Sequence, residues 1–219
     1  MSHSPRIHLV HAGAISMGPI EAAFWTDWPE ATLVHLLDDS LSSDFARDGR
    51  LTGAMIDRFR TLGRYCAAAG ADAILFTCSA FGAAIDVVKS EQKVPVLKPN
   101  EALYDDIVAT RGRIALLATF APSLPAMMAE IEAHATAHGV TPLVEPHLVA
   151  GAFDALMAKR SDEHDRLIAA AAATFARHDA IAFAQVSMTT ALPLTQAQTR
   201  IPVMTTPQSA IRKLRTLMG

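Results

Sequence analysis

The sequence repeats itself at a constant spacing of 107 residues, and this repeat constrains the fold more than any other feature. The matched segments are Arg6–Leu9 with Arg113–Leu116, Asp72–Phe76 with Asp179–Phe183, and Val94–Val96 with Ile201–Val203; Ser16 also matches Ser123. One offset across three separated segments, prolines included, predicts an internal duplication. We predict one half from residues 1–98 with 206–219 and a second from 99–205, each of an ordinary domain size.

Short apolar runs alternate with longer helical patterns in both halves. The runs predicted as strands are 7–12, 32–37, 73–78, 95–97, 114–119, 142–145, 181–186 and 202–204. The segments predicted as helices are 54–69, 80–88, 101–110, 124–138, 162–177, 188–198 and 208–218. This alternation predicts parallel sheets with right-handed crossovers. The expected fold is therefore α/β, made of two pseudo-symmetric flavodoxin-like halves with the active site in the cleft between them.

Composition excludes several classes of protein. The 219 residues, 51% of them hydrophobic, can bury a core without a metal or disulfide. The net charge is -3 and Lys and Arg are scattered, so we expect no nucleic-acid partner. No apolar run approaches the ~18 residues of a membrane span and no signal segment is visible, which predicts a cytoplasmic protein without a membrane partner. The 41 alanines would serve sheet packing and a homo-oligomer interface equally well.

The chemistry should lie in the loops that follow the strands, because parallel α/β sheets bind ligands beyond their carboxyl ends. Cys78 ends an apolar strand and precedes a helix, whose first N–H groups would bind a carboxylate and favour the thiolate. Cys66 lies within a helix and is interpreted as a packing residue. The candidate substrate-binding residues in these loops are His11, Ser16, Thr77, Ser79, Ala80, Thr119, Val186 and Ser187. The hydroxyls could instead cap helices, and His11 could be a buried, hydrogen-bonded side chain.

No metal site is predicted. The two cysteines lack metal-ligand spacing, and Asp38-Asp39 is interpreted as a turn with surface acids. His134 and His138 share a helix face, but the neighbouring residues are polar and the pair is interpreted as part of a solvated face.

Four short motifs, in this order, carry a family resemblance. They are Ala73–Ser79 (AILFTCS), Val94–Val96 (VPV), Ile114–Thr119 (IALLAT) and Phe183–Met188 (FAQVSM). Together with the duplication, they resemble the aspartate/glutamate/hydantoin racemase superfamily over nearly the whole chain. The resemblance implies an isomerase of small amino acids or related acids that needs no cofactor, pyridoxal phosphate included. It also implies two cysteines, one per half, that remove and return a proton at the carbon next to a carboxylate.

Cys78 matches the first of those cysteines, but Gln185 occupies the second position. A primary amide carries no proton usefully near neutral pH, although it can donate a hydrogen bond to a carboxylate or enolate oxygen. Three mechanisms stay open: protonation on one face, as in the superfamily's arylmalonate decarboxylase; covalent addition, as in maleate isomerase; or a second proton from His11 or Ser187. A carboxylate-binding protein without catalysis is the remaining alternative.

Overall fold

The computed structural model describes residues 4–219, which form two parallel β-sheets flanked by helices. The strands are β1 (Arg6–His11), β2 (Thr32–Leu37), β3 (Ala73–Phe76), β4 (Val96–Leu97), β5 (Arg113–Ala118), β6 (Leu143–Leu148), β7 (Ala180–Phe183) and β8 (Val203–Thr205). The α-helices are α1 (Met17–Asp27), α2 (Ser40–Asp48), α3 (Gly53–Ala68), α4 (Gly82–Glu91), α5 (Glu101–Thr110), α6 (Leu124–Ala137), α7 (Ala152–Met157), α8 (Ser161–Ala173), α9 (Leu192–Gln198) and α10 (Thr206–Met218). The strand orders are β2-β1-β3-β4 and β6-β5-β7-β8.

The chain divides into two compact units, each with one of the sheets. The first unit runs to Ala102 and resumes at Ala210–Gly219, and the second is Leu103–Ser209. The boundaries therefore fall inside α5 and α10 rather than in loops. The predicted α/β class with two similar parallel-sheet halves is confirmed. Within the described residues, no helix is long and apolar enough to cross a bilayer.

The repeat extends to individual backbone contacts. Ile7 pairs with Ala73 in the first sheet, and Ile114 pairs with Ala180 in the second, at the same spacing of 107. At the start of each central strand, an aspartate Oδ2 accepts a backbone N–H at 2.7 Å: Asp72 from Arg6, and Asp179 from Arg113. An aspartate at the same position of the repeat thus fixes the start of the central strand in each unit.

The central strands are buried on both faces, which explains their continuous apolar sequences. In β5, Ile114 and Leu116 contribute to one hydrophobic cluster while Ala115 and Leu117 contribute to another, as side chains that alternate across a sheet must. The first sheet packs three rings together: Phe59 lies 5.5 Å from Phe76 and 4.9 Å from Phe81, between ring centroids.

The sequence pattern did not predict three of the helices, α1, α2 and α7. In α1, Gly18-Pro19 resembles a turn, yet the proline occupies the first helical turn, where its missing N–H removes no helical hydrogen bond. The predicted helix over 188–198 is a 3₁₀ segment, Val186–Ala191, followed by α9. The predicted strands over 73–78 and 181–186 end early, at Phe76 and Phe183, so the candidate residues after them lie outside the sheets.

Candidate active site

The first unit places Cys78 where its strand order changes direction. β1 lies between β2 and β3, so the chain leaves β1 towards one side and β3 towards the other. In parallel α/β sheets, ligands bind beyond the carboxyl ends of the two strands at such a point. His11 is the last residue of β1, and the Thr77 N–H donates to the Val10 carbonyl at 3.0 Å. Three of the predicted site residues, His11, Thr77 and Cys78, therefore lie next to one another.

A buried polar network surrounds His11. Its Nδ1 lies 3.0 Å from the Ser16 hydroxyl and 2.9 Å from the Thr77 hydroxyl, and those two hydroxyls are 2.8 Å apart. Its Nε2 lies 3.0 Å from Nδ1 of His35. Burial, and second the nearby His35, lower the pKa of His11 to about 4. His11 is therefore a neutral imidazole near pH 7, held by hydrogen bonds on both ring nitrogens.

The neutral state of His11 predicts a pH-dependent stability. The pKa of His11 is about 4 in the folded protein against 6.5 when exposed, so the unfolded chain binds the extra proton first. The contribution of neutral His11 to the free energy of unfolding should be fully present above pH 6.5. It should fall by about 2 kcal/mol towards pH 4, after allowing for solvent screening. Denaturant unfolding at both pH values measures it. His11→Gln should lose less stability on acidification than the wild type, and an equal loss would contradict the assignment.

Cys78 is half-buried and begins a 3₁₀ turn, Ser79–Phe81, that leads into α4. Burial raises the pKa of the Cys78 thiol, and a hydrogen bond from the Ala80 backbone lowers it by less. The prediction that this position favours the thiolate is therefore wrong, because the desolvation cost exceeds the stabilisation by the turn's N–H groups. The resting group is a thiol. Burial raises the pKa of Cys66 in α3 to about 11, as expected of a packing residue.

Gln185 has the same backbone conformation in the second unit as Cys78 has in the first. Its φ and ψ are -122° and 147°, against -119° and 120° for Cys78. Its Oε1 accepts the Thr119 backbone N–H at 2.9 Å, and its Nε2 donates to the Ser123 hydroxyl at 3.1 Å. Its second amide N–H has no hydrogen-bond partner within the described part of the chain, so it remains available to a ligand.

The other candidate residues differ in exposure. Ser79 and Ala80 are exposed on the 3₁₀ turn, and Ser187 is half-buried. Val186 is 8% exposed, which leaves its backbone as the main group it can present. Asp38, interpreted from the sequence as a surface acid in a turn, lies outside the candidate site and forms an ion pair of 2.6 Å with the Arg58 guanidinium.

Two residues of the strand-end networks, one in each unit, were not predicted from the sequence. His35 lies in β2 and is brought to His11 by the parallel register, in which residue 11 pairs with Leu37 and residue 9 with His35. Ser123 is the repeat partner of Ser16, and both hydroxyls serve polar networks at the ends of the central strands. A histidine in an otherwise apolar strand and a serine conserved through the repeat were the available signals.

Comparison with known proteins gives matches to solved structures alone. No family model matches the sequence, and neither does any curated protein. The aspartate racemase of Picrophilus torridus is 11% identical with a TM-score of 0.71, over 98% of this chain and 94% of that one. Allantoin racemase from Klebsiella pneumoniae is 13% identical with a TM-score of 0.68, over 98% and 87%. A mutant arylmalonate decarboxylase is 15% identical with a TM-score of 0.66, over 98% and 94%.

These structures differ in activity but share one architecture with this chain from end to end. The match confirms, at the level of the fold, the resemblance that the sequence motifs indicated. The protein therefore shares with these three structures the duplicated α/β fold that the resemblance to the aspartate/glutamate/hydantoin racemase superfamily predicted.

Proposed function

We propose that the protein is a cofactor-independent enzyme of this superfamily that transfers a proton at the carbon next to the carboxylate of a small acid, with Cys78 as the proton carrier. The observation that carries the proposal is the Cys78 thiol beyond β3, next to the His11–Ser16–Thr77 network. It is the strand-end thiol of the first unit, at the position where this kind of fold binds ligands.

The state of the thiol favours proton donation. Because burial keeps Cys78 protonated, its S–H can supply a proton to an enediolate, and the resulting thiolate is stabilised by the Ala80 N–H. The negative oxygens of the enediolate need hydrogen-bond donors, which the Ser79 N–H and the Thr77 hydroxyl would provide. The S–H bond breaks, a C–H bond forms, and water restores the thiol.

The second unit favours delivery of the proton to a single face. Gln185 holds the repeat position of Cys78 but carries no exchangeable acid, so its proposed role is to donate its remaining N–H to a substrate oxygen. His11, whose pKa is about 4, is a weak base with both ring nitrogens engaged. We therefore favour decarboxylation followed by protonation on one face over two-base racemisation.

Covalent addition to a double bond, as in maleate isomerase, is the second enzymatic candidate. It requires a thiolate as the nucleophile, and the raised pKa of Cys78 makes that form scarce near neutral pH. A stable thioether on Cys78, seen by mass spectrometry with an unsaturated diacid, would support this candidate instead.

The test is turnover in heavy water with arylmalonates, α-amino acids and hydantoins. We expect carbon dioxide release from an arylmalonate and one deuterium at the carbon next to the remaining carboxylate, in a single configuration. A racemic, doubly exchanged product would contradict single-face delivery. Stoichiometric thermal stabilisation by a carboxylate, with neither exchange nor turnover across the three classes, would contradict catalysis and indicate a binding protein.

A further inference from the structure

Three potential metal ligands meet on the helices of the second unit, outside the strand-end site. His134 lies in the last turn of α6, His138 follows the end of that helix, and Asp105 lies on α5. One ligand atom from each lies within 4.8 Å of the other two. The sequence showed the histidine pair, but only the fold adds the carboxylate, which comes from a different helix.

Hydrogen bonds fix the imidazole of His138 in the form that binds a metal. Its Nδ1 lies 2.8 Å from the His134 backbone carbonyl. A carbonyl can only accept, so Nδ1 carries the proton and Nε2 presents a lone pair. Histidines that bind metals usually have this arrangement, with the second nitrogen donating to a carbonyl or carboxylate.

The other two proposed ligands, His134 and Asp105, already lie within hydrogen-bond distance of each other. Nε2 of His134 lies 2.7 Å from Oδ1 of Asp105. When a cation displaces the proton between them, both atoms present lone pairs to the same point. Ligands of tetrahedral zinc are about 3.4 Å apart, given bonds of about 2.0–2.1 Å, so this pair needs to separate by less than about 1 Å. The His138 ring already lies beside this pair, 4.5 Å from the His134 ring between centroids.

The electrostatic surroundings contain contributions of both signs. The carboxyl end of α6 carries partial negative charge, which favours a cation there. The Glu130 carboxylate, held by the Tyr104 hydroxyl at 2.7 Å, adds negative charge near His134. Arg111 opposes a cation, because it lines the same cavity of about 380 Å³ as Asp105 and His138. The Asp105 carboxylate offsets this arginine.

We propose that Asp105, His134 and His138 form a binding site for a divalent transition-metal ion of the zinc class, with a fourth position for water. Two imidazoles and one carboxylate suit Zn²⁺ or Co²⁺ rather than Ca²⁺ or Mg²⁺, which prefer oxygen ligands alone. The ion would join α5 to α6 and stabilise the second unit. This site is independent of the chemistry at Cys78.

The experiment is calorimetric titration of the full chain with Zn²⁺, together with the visible spectrum of the Co²⁺ form. We expect one ion per chain with a tetrahedral Co²⁺ spectrum, and at least a tenfold weaker affinity in both His138→Ala and Asp105→Asn. The matched controls are His147→Ala and Glu132→Gln, which alter the same residue type or charge in the second unit and should bind as the wild type does.

A second readout separates metal binding from a folding defect. Zn²⁺ should raise the melting temperature of the wild type but not that of His138→Ala, whose side chain is exposed and lies outside the hydrophobic core. The titration is repeated in Cys78→Ser to exclude binding through that thiol. Equal Zn²⁺ affinity in the wild type and His138→Ala, or no binding at millimolar Zn²⁺, would overturn the proposal.

Discussion

Replacing Cys78 with alanine is expected to lower kcat by about 10²–10⁴-fold, the contribution of a positioned proton carrier. KM should change little, because the proposed carboxylate contacts come from backbone N–H groups and hydroxyls that the substitution leaves in place. Deuterium incorporation in heavy water and carbon dioxide release provide two measurements of the loss. Cys66→Ala is the matched control: it removes a thiol buried in α3 and should affect stability alone. Full turnover by Cys78→Ala would eliminate the proposed role of the thiol.

The pH profile of the wild type tests the same assignment independently. Burial raises the pKa of the Cys78 thiol, so the thiol stays protonated through neutral pH. Turnover should therefore hold across that range and fall in alkaline solution as the thiol ionises. Cys78→Ser, whose hydroxyl does not ionise in that range, should be slow and lack the alkaline decrease. An alkaline decrease that persists in Cys78→Ser would show that another group titrates.

Replacing Gln185 with cysteine is expected to change the stereochemical outcome. The repeat gives Gln185 the position and backbone conformation of Cys78, so a thiol there provides the second proton carrier that two-cysteine racemases have. Exchange on the second face should rise by about 10²–10⁴-fold, and a product of single configuration should become racemic. Chiral chromatography of the product measures the change.

The controls for this prediction separate the new thiol from the lost amide. Gln185→Ala loses the hydrogen bonds to Thr119 and Ser123, which costs about 1 kcal/mol each, but gains no proton carrier. Its product should keep a single configuration. If Gln185→Ala gave a racemic product as well, stereocontrol would depend on the amide, and the argument from the repeat would fail.

The sequence carried enough information for the sheets because their central strands are buried on both faces. A short, continuous apolar run such as Ile114–Ala118 is typical of a buried parallel strand, and each of the eight predicted runs overlaps a strand of the structure. Helices were harder to predict where local signals contradicted the packed structure. Gly18-Pro19 indicates a turn by itself, but the fold uses it as the first turn of α1. Such positions are decided by tertiary packing rather than by local preference.

The site was predictable only as far as strand topology determines it. Cys78, His11 and Thr77 follow from the rule that ligands bind beyond the carboxyl ends of parallel strands. His35 did not, because its contact with His11 depends on how two side chains are oriented across neighbouring strands. The ionisation of Cys78 was also predicted in the wrong direction, since desolvation depends on the packed surroundings of the thiol rather than on its neighbours in sequence.

The positions of the unit boundaries determine which of the two units can be completed first during synthesis. The second unit is one continuous segment, Leu103–Ser209, whereas the first needs Ala210–Gly219 in addition to its earlier residues. Ile211 and Leu214, both fully buried, are among these late residues. The first unit therefore cannot be completed until the last residues of the chain have been synthesised, whereas no residue of the second unit follows Ser209.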